Sequence, residues 1–173
     1  TTDPAVNQNV LYILANRSFK LNDIYEVRDQ KVKYAKAVLT GASKQAAIEA
    51  AELEKDATLY RCHFEFPASL SLYINDKQID AIKDGMTYNS LQVQYESLVD
   101  MVPSLTEEEK KQIYAWYKEA REFSMDAENS DKKHAAFNKY KGRINNYLTK
   151  RGYDLVKERN EWYKRLKAAG KKI

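Results

Sequence analysis

Glycine and proline are scarce in this chain, whose 173 residues include five glycines and three prolines. A many-stranded sheet needs tight turns rich in these two residues, so their scarcity favours long helices. Lysine, glutamate, glutamine and arginine, which lose little rotamer freedom in a helix, are common. The length suits one domain with its own core. We therefore expect an all-α fold: a single helical domain over residues 1–173, built as a bundle of about six or seven helices.

Capping and breaking residues divide this bundle into long N-terminal helices followed by shorter ones. Pro4 suits the first turn of the first helix, and Pro67 is expected to bend or break the second. Thr106 and Glu109 have the spacing of a capping box, in which each side chain satisfies an orphan amide. The expected helices cover residues 4–40, 42–73, 76–84, 90–102, the stretch after Thr106, the stretch from Ser130 and the stretch capped by Asp154.

Positive charge is concentrated in the C-terminal third of the chain. Residues 127–173 contain fourteen Lys and Arg against five Asp and Glu, which gives this region a charge of +9. Since the net charge of the chain is +4, residues 1–126 have a charge of −5. Such a region can attract polyanions. The alternative is that these cations are the solvated faces of packed helices, the usual place for lysine. A nucleic acid is the partner we expect least.

Catalytic and metal-binding motifs are absent from the sequence. Cys62 is the one cysteine, and the two histidines, His63 and His134, lie far apart without zinc-site spacing. No nucleophile-elbow, phosphate-loop or dinucleotide motif is present, and no apolar run reaches the ~20 residues that span a bilayer. We expect no metal, no cofactor, no catalytic residue and no transmembrane segment.

Two arginines interrupt the apolar stripe of the first helix. Arg17 and Arg28 are eleven residues apart, close to three turns, so they project from one face. A buried guanidinium needs acidic partners, and the spacing of Glu119, Glu122 and Asp126 aligns them along one helical edge. We expect a structural ion-pair network among these five residues. The alternatives are arginines that reach solvent at a bend and acids that perform acid/base chemistry on a sugar.

A second unusual segment is KYKGRINNYL, residues 139–148. Gly142 costs a helix about 1 kcal/mol relative to alanine, and Asn145 and Asn146 are also poor helix formers. Unfavourable residues clustered around Arg143 in a helical pattern indicate function or strain. They predict a ligand site or, alternatively, a buried polar network, and Gly142 predicts the close approach of another helix or of a ligand.

Several long strings resemble the bacterial "domain of unknown function 3826" family. They are KDGMTY at residues 83–88, LTEEEKKQIYAWYKEAREFSMDAENSDKKHAAFNKYKGRINNYL at 105–148 and RGYDL at 151–155. The resemblance implies an exported, periplasmic or extracellular protein of polysaccharide-degrading bacteria that binds sugar, with no established catalytic residues. One departure is Tyr25, where a histidine is common in the family.

Sugar binding also suits the side chains of these segments, since aromatic faces pack against sugar C–H patches while amides and guanidinium groups bond to hydroxyls. The expected ligand-binding residues, which should converge on one cleft, are Tyr88, Trp116, Tyr140, Arg143, Asn145, Asn146 and Tyr147. The alternative is a structural or protein-interaction module whose tyrosine-rich surface binds a protein partner. A glycan-active enzyme using Glu119, Glu122 or Asp126 is a lesser alternative.

Overall fold

The protein, a computed structural model that describes residues 1–172, contains eight α-helices and no strand within those residues. The helices are α1 (Pro4–Val38), α2 (Gly41–His63), α3 (Glu65–Leu70), α4 (Asp76–Met86), α5 (Ser90–Met101), α6 (Glu107–Met125), α7 (Ser130–Lys150) and α8 (Leu155–Ala168). The predicted all-α class is confirmed. Phe64 alone separates α2 from α3 and is itself right-handed helical. Counting the two as one broken helix gives seven, as the breaker residues predict.

Helix ends follow the capping residues closely, with two corrections. The capping box of Thr106 and Glu109 is present in full at the start of α6. The second helix breaks at Phe64, three residues before Pro67, because proline fits the first turn of α3, where its missing N–H is not needed. The first helix, predicted to extend to residue 40, stops at Val38, and Gly41, with a φ of 55°, opens α2.

The chain packs as two compact units, Thr1–Ala81 and a second that begins at Ile82. In the first unit, α1 packs along α2 and α3. The apolar stripe that the sequence predicts to face inward on the first helix is buried or half-buried at every position: Val10, Leu14, Leu21, Ile24, Val32, Ala35 and the C-cap residue Leu39. One domain over the whole chain stays a prediction.

The second unit holds the main hydrophobic cluster, built where α6 packs against both α5 and α7. Its buried residues are Leu91, Leu98, Val102, Leu105, Ile113, Tyr117, Ala120, Phe137, Tyr140, Ile144 and Leu148. Phe123, which the periodicity of α6 predicts to be buried, is instead 60% exposed. The packing of α6 against α7 places the edges of these two helices side by side, and the candidate site lies there.

Candidate functional site

Two aromatic rings from neighbouring helices meet at the edge of the second unit. Trp116 of α6 and Tyr147 of α7 are half-buried and pack against the hydrophobic cluster. Their ring centroids lie 5.1 Å apart with an interplanar angle of 85°, an edge-to-face arrangement that aromatic pairs favour. The sequence predicts both as ligand residues, and the structure brings them into contact.

A surface groove of about 610 Å³ opens beside this pair. Its lining residues are Trp116, Lys139, Gly142, Arg143, Asn146, Tyr147 and Lys150. Six of the seven come from α7, where steps of three and four residues place them along one face. The lining contains three cations, an amide, two aromatic rings and no carboxylate. This combination can pack against a flat ligand and hydrogen-bond to its edge.

Gly142 gives the groove an open floor. A Cβ atom added at this position would meet no atom within 4 Å, beyond the helix's own backbone. The predicted close approach of another helix is therefore wrong, because no neighbouring element comes near. The absence of a side chain leaves space between Lys139 and Asn146, one turn apart on either side, which a ligand can occupy.

Arg143 is held at the groove from two sides. Its guanidinium carbon lies 4.8 Å from the ring centroid of Tyr140, and its Nη1 lies 3.7 Å from the carboxylate of Glu119. Tyr140 is only 5% exposed. Burial and the neighbouring charge of Glu119 raise the pKa of its hydroxyl. Tyr140 thus supports Arg143 from below and does not itself line the groove.

Like Tyr140, two further predicted ligand residues lie outside the lining. Tyr88 is 51% exposed and stacks on His134 of α7, with centroids 5.0 Å apart. Asn145 is half-buried and does not line the groove either. Conversely, the sequence reasoning missed Lys139 and Lys150. Their spacing of four residues before and seven after Arg143 is the signal that could have found them.

Both arginines of the predicted ion-pair network contact residues of the first unit. In the first unit, Arg17 lies over the ring of Phe66, 4.6 Å from its centroid. Arg28 lies 3.5 Å from the carboxylate of Glu52 on α2, which is an acidic partner from another helix. Direct pairing of these arginines with Glu119, Glu122 and Asp126 stays a prediction.

In the second unit, a buried charge cluster joins α4 to α6. Arg121, which is 3% exposed, donates from Nη1 to Asp84 at 2.8 Å. Lys83 donates to Glu122 at 2.7 Å, and Glu122 lies 3.8 Å from Arg121. Sequence reasoning missed Arg121, although its position next to Glu122 on a helix with an apolar face was visible. Asp126, the C-cap of α6, is half-buried.

Glu109 is the centre of a further polar cluster. Tyr153 donates to its carboxylate at 2.6 Å, as does Arg151 through Nε at 2.6 Å, and the amide of Thr106 does so at 2.9 Å. Burial alone would raise the pKa of Glu109, but these bonds outweigh it and lower that pKa to about 2. A carboxylate satisfied in this way is a structural anion, and it fixes the start of α6 against the turn before α8.

Within residues 1–172, no three His, Cys, Asp or Glu side chains gather closely enough to hold a metal ion. None of the helices described there combines the length and apolarity needed to cross a bilayer. The chain matches none of the curated proteins. A family model described as "Protein of unknown function (DUF3826)" matches residues 1–168, and the chain belongs to that family.

Proposed function

We propose that the chain binds carbohydrate in the groove between α6 and α7. The observation that carries this proposal is the convergence of Trp116, Arg143, Asn146 and Tyr147 on one open surface. An indole or phenol face packs against the C–H side of a sugar ring, while the amide and guanidinium groups bond to its hydroxyls. The groove has the size of common small-ligand sites.

Gly142 supports the same reading on energetic grounds. Alanine would be about 1 kcal/mol better in this helix, and the surrounding protein has room for it. A residue that costs stability without a packing reason is typical of a functional surface. In this proposal, the open floor at Gly142 lets a sugar ring approach the backbone of α7.

The family resemblance adds the setting. The resemblance implies that members of this family are exported proteins of polysaccharide-degrading bacteria. The proposal therefore includes a periplasmic or extracellular location and a role in polysaccharide use. The groove lining contains no carboxylate, and Glu119 and Glu122 are engaged by Arg143 and Lys83. These contacts favour binding over glycoside hydrolysis, which requires a pair of available carboxyl groups.

The test is a glycan array with wild-type protein and three variants. Trp116→Ala removes the aromatic face, and Gly142→Leu adds a side chain to the floor of the groove at a position where a Cβ atom meets no neighbour. Tyr114→Ala is the matched control, because Tyr114 is an exposed aromatic residue of α6 outside the lining. We expect both groove variants to lose the signal and the control to keep it. Wild-type protein with no signal on any glycan, or full binding by Gly142→Leu, would contradict the proposal.

A protein-interaction surface on the first unit is the second candidate. Large aromatic side chains are exposed along α1 and α2 and at the residue between α2 and α3: Tyr12, Phe19, Tyr34, Tyr60 and Phe64. Exposed aromatic residues are enriched at protein interfaces. A flat glycan array together with specific co-purification of another protein, lost when Phe19 and Tyr60 are changed to serine, would favour this function.

A further inference from the structure

We infer that the ligand of the α6–α7 groove is an anionic oligosaccharide carrying several carboxylate or sulfate groups. This inference rests on the proposed function, since it names the class of sugar that the same groove takes. It follows from the sign, number and spacing of the charges along α7, which a neutral sugar would leave unused.

The sign of the groove is positive along its whole length. Lys139, Arg143 and Lys150 line it, and no acidic side chain does. Among residues 1–172, Glu119 is the one acid that pairs with any of these three cations, at 3.7 Å from Arg143. Both of those side chains are about half exposed, so this pair leaves most of the positive charge uncompensated. The C-terminal third around the groove has the balance of +9 described above, which attracts anions at long range.

The spacing of the cations indicates an oligomer. Eleven residues separate Lys139 from Lys150, which corresponds to roughly 16 Å along a helix. A single carboxylate or phosphate cannot reach both ends of such a row. An extended chain of sugars with repeated charges can place one group at each lysine and another at Arg143, whose planar guanidinium suits a two-oxygen anion.

The aromatic pair favours a saccharide over a single-stranded nucleic acid. Nucleic-acid grooves stack successive bases on parallel aromatic platforms. Here Trp116 and Tyr147 stand at 85° to each other, so they cannot offer two parallel faces to neighbouring bases. One flat face beside hydrogen-bonding groups is the arrangement that a single sugar ring needs.

The experiment compares two anionic oligosaccharides with an uncharged form of the first. Oligogalacturonate and its full methyl ester share one sugar and one linkage, and a carrageenan oligosaccharide provides sulfate in place of carboxylate. Affinities are measured by calorimetry at about 0.05 M and 0.5 M salt, because screening weakens exposed ion pairs. The variants are Lys139→Gln with Lys150→Gln as a double change, and Lys141→Gln as the control, since Lys141 is exposed on α7 outside the lining.

We expect at least one anionic oligomer to bind about tenfold more tightly than the ester at low salt, the value of two or three exposed ion pairs. The double change should remove that preference, whereas Lys141→Gln should keep it.

Three results would overturn the inference. Equal affinity for acid and ester, with both lost in Trp116→Ala, would leave the proposed function standing and remove only the charge preference. Binding of none of the three ligands, together with a flat glycan array, would remove both. Single-stranded DNA that binds as tightly as the acid oligomer, with no effect of Trp116→Ala, would assign the cations to nucleic acid.

Discussion

The hydroxyl of Tyr153 donates a 2.6 Å hydrogen bond to the carboxylate of Glu109, which is only 2% exposed. Arg151 and the amide of Thr106 complete the shell around the same carboxylate. Thr106 and Glu109 begin α6, whereas Arg151 and Tyr153 lie in the turn between α7 and α8. One carboxylate therefore joins two distant parts of the second unit, and its ionisation is coupled to folding.

The first prediction concerns acid. Glu109 has a pKa of about 2 in the folded protein, below its ordinary value of 4.5, so the unfolded chain takes up the proton first. Its contribution to stability is complete above about pH 4.5 and is lost as the pH falls towards 2. Because Arg151 is partly exposed and screened, we expect this contribution to be about 1–2 kcal/mol. Urea unfolding followed by circular dichroism at neutral and acid pH measures it.

The variant Glu109→Gln distinguishes the contribution of Glu109 to acid unfolding from the contributions of the other carboxylates. Glutamine can still accept from the Thr106 amide, so the capping box is kept. The variant should be less stable than wild type at neutral pH, and the gap should narrow as the pH falls below 4. Glu107→Gln, at the exposed first position of the same helix, is the control, and it should change the unfolding free energy at neutral pH less than Glu109→Gln does. A gap between Glu109→Gln and wild type that stays constant with pH would show that the charge of Glu109 does not contribute.

The second prediction concerns the buried charge cluster. Arg121→Ala removes a guanidinium that is 3% exposed and takes this cationic partner away from both Asp84 and Glu122. Removing one partner of a buried ion pair costs about 3–5 kcal/mol, because the remaining charge stays desolvated. Since Asp84 and Glu122 are about one-third exposed, we expect the lower end. Lys111→Ala, an exposed cation of the same helix, should change the unfolding free energy by less than about 0.5 kcal/mol. Equal effects of the two changes would contradict the role given to Arg121.

Helix-forming features could be predicted from the sequence because they are local. A helix cap acts within a few residues, and the structure contains both the predicted capping box at Thr106 and the predicted cap at Asp154. The scarcity of glycine likewise leaves few places where a helix is interrupted. Phe123 differs because its burial depends on how neighbouring helices pack around α6, which no local pattern encodes. The partners of Arg28 and Arg121 could not be assigned either, since many acids have suitable helical spacing and only packing chooses among them.

The candidate site could be predicted in part for the same reason. Arg143, Asn146 and Tyr147 share a helix, so their spacing alone places them near one another. Trp116 lies beside them because α6 packs on α7. The poor helix formers around Gly142 indicate a functional segment at residues 139–148 from the sequence alone. Tyr88 was grouped with them by chemistry rather than geometry, and it lies in another contact, on His134.

The third prediction uses two glycines that differ in backbone conformation. Gly142 lies inside α7 with space for a Cβ, whereas Gly152 has a φ of 96°. Gly142→Ala should stabilise the protein by up to about 1 kcal/mol, because alanine is the better helix former. Gly152→Ala should destabilise it by about 1 kcal/mol or more, since an L-residue is strained at that φ. Thermal unfolding of both variants measures the opposite signs. Destabilisation by Gly142→Ala would mean that a packing role for this glycine had been overlooked.

The last prediction concerns the turn before α5, where Tyr88 and Asn89 both have left-handed backbones, with φ of 58° and 54°. Asparagine tolerates this region, but a tyrosine there costs about 1–2 kcal/mol. The stacking of Tyr88 on His134 and the ammonium of Lys133, 5.7 Å from its ring centroid, offset part of that cost. Tyr88→Ala and Tyr88→Gly both lose the ring, but only alanine keeps the strain. The glycine variant should therefore be more stable than the alanine variant by about 1 kcal/mol, the reverse of their order in a helix.

The same pair of variants tests whether Tyr88 belongs to the sugar site. Since Tyr88 does not line the groove, both variants should bind the glycans that wild-type protein binds, with unchanged affinity at a temperature where both are folded. Loss of glycan binding in both variants, as in Trp116→Ala, would show that Tyr88 is part of the binding site and that the ligand extends beyond the groove. Loss in the alanine variant alone would instead indicate that the ring acts by holding the strained turn in place, because the glycine variant lacks the ring but has no strain to hold.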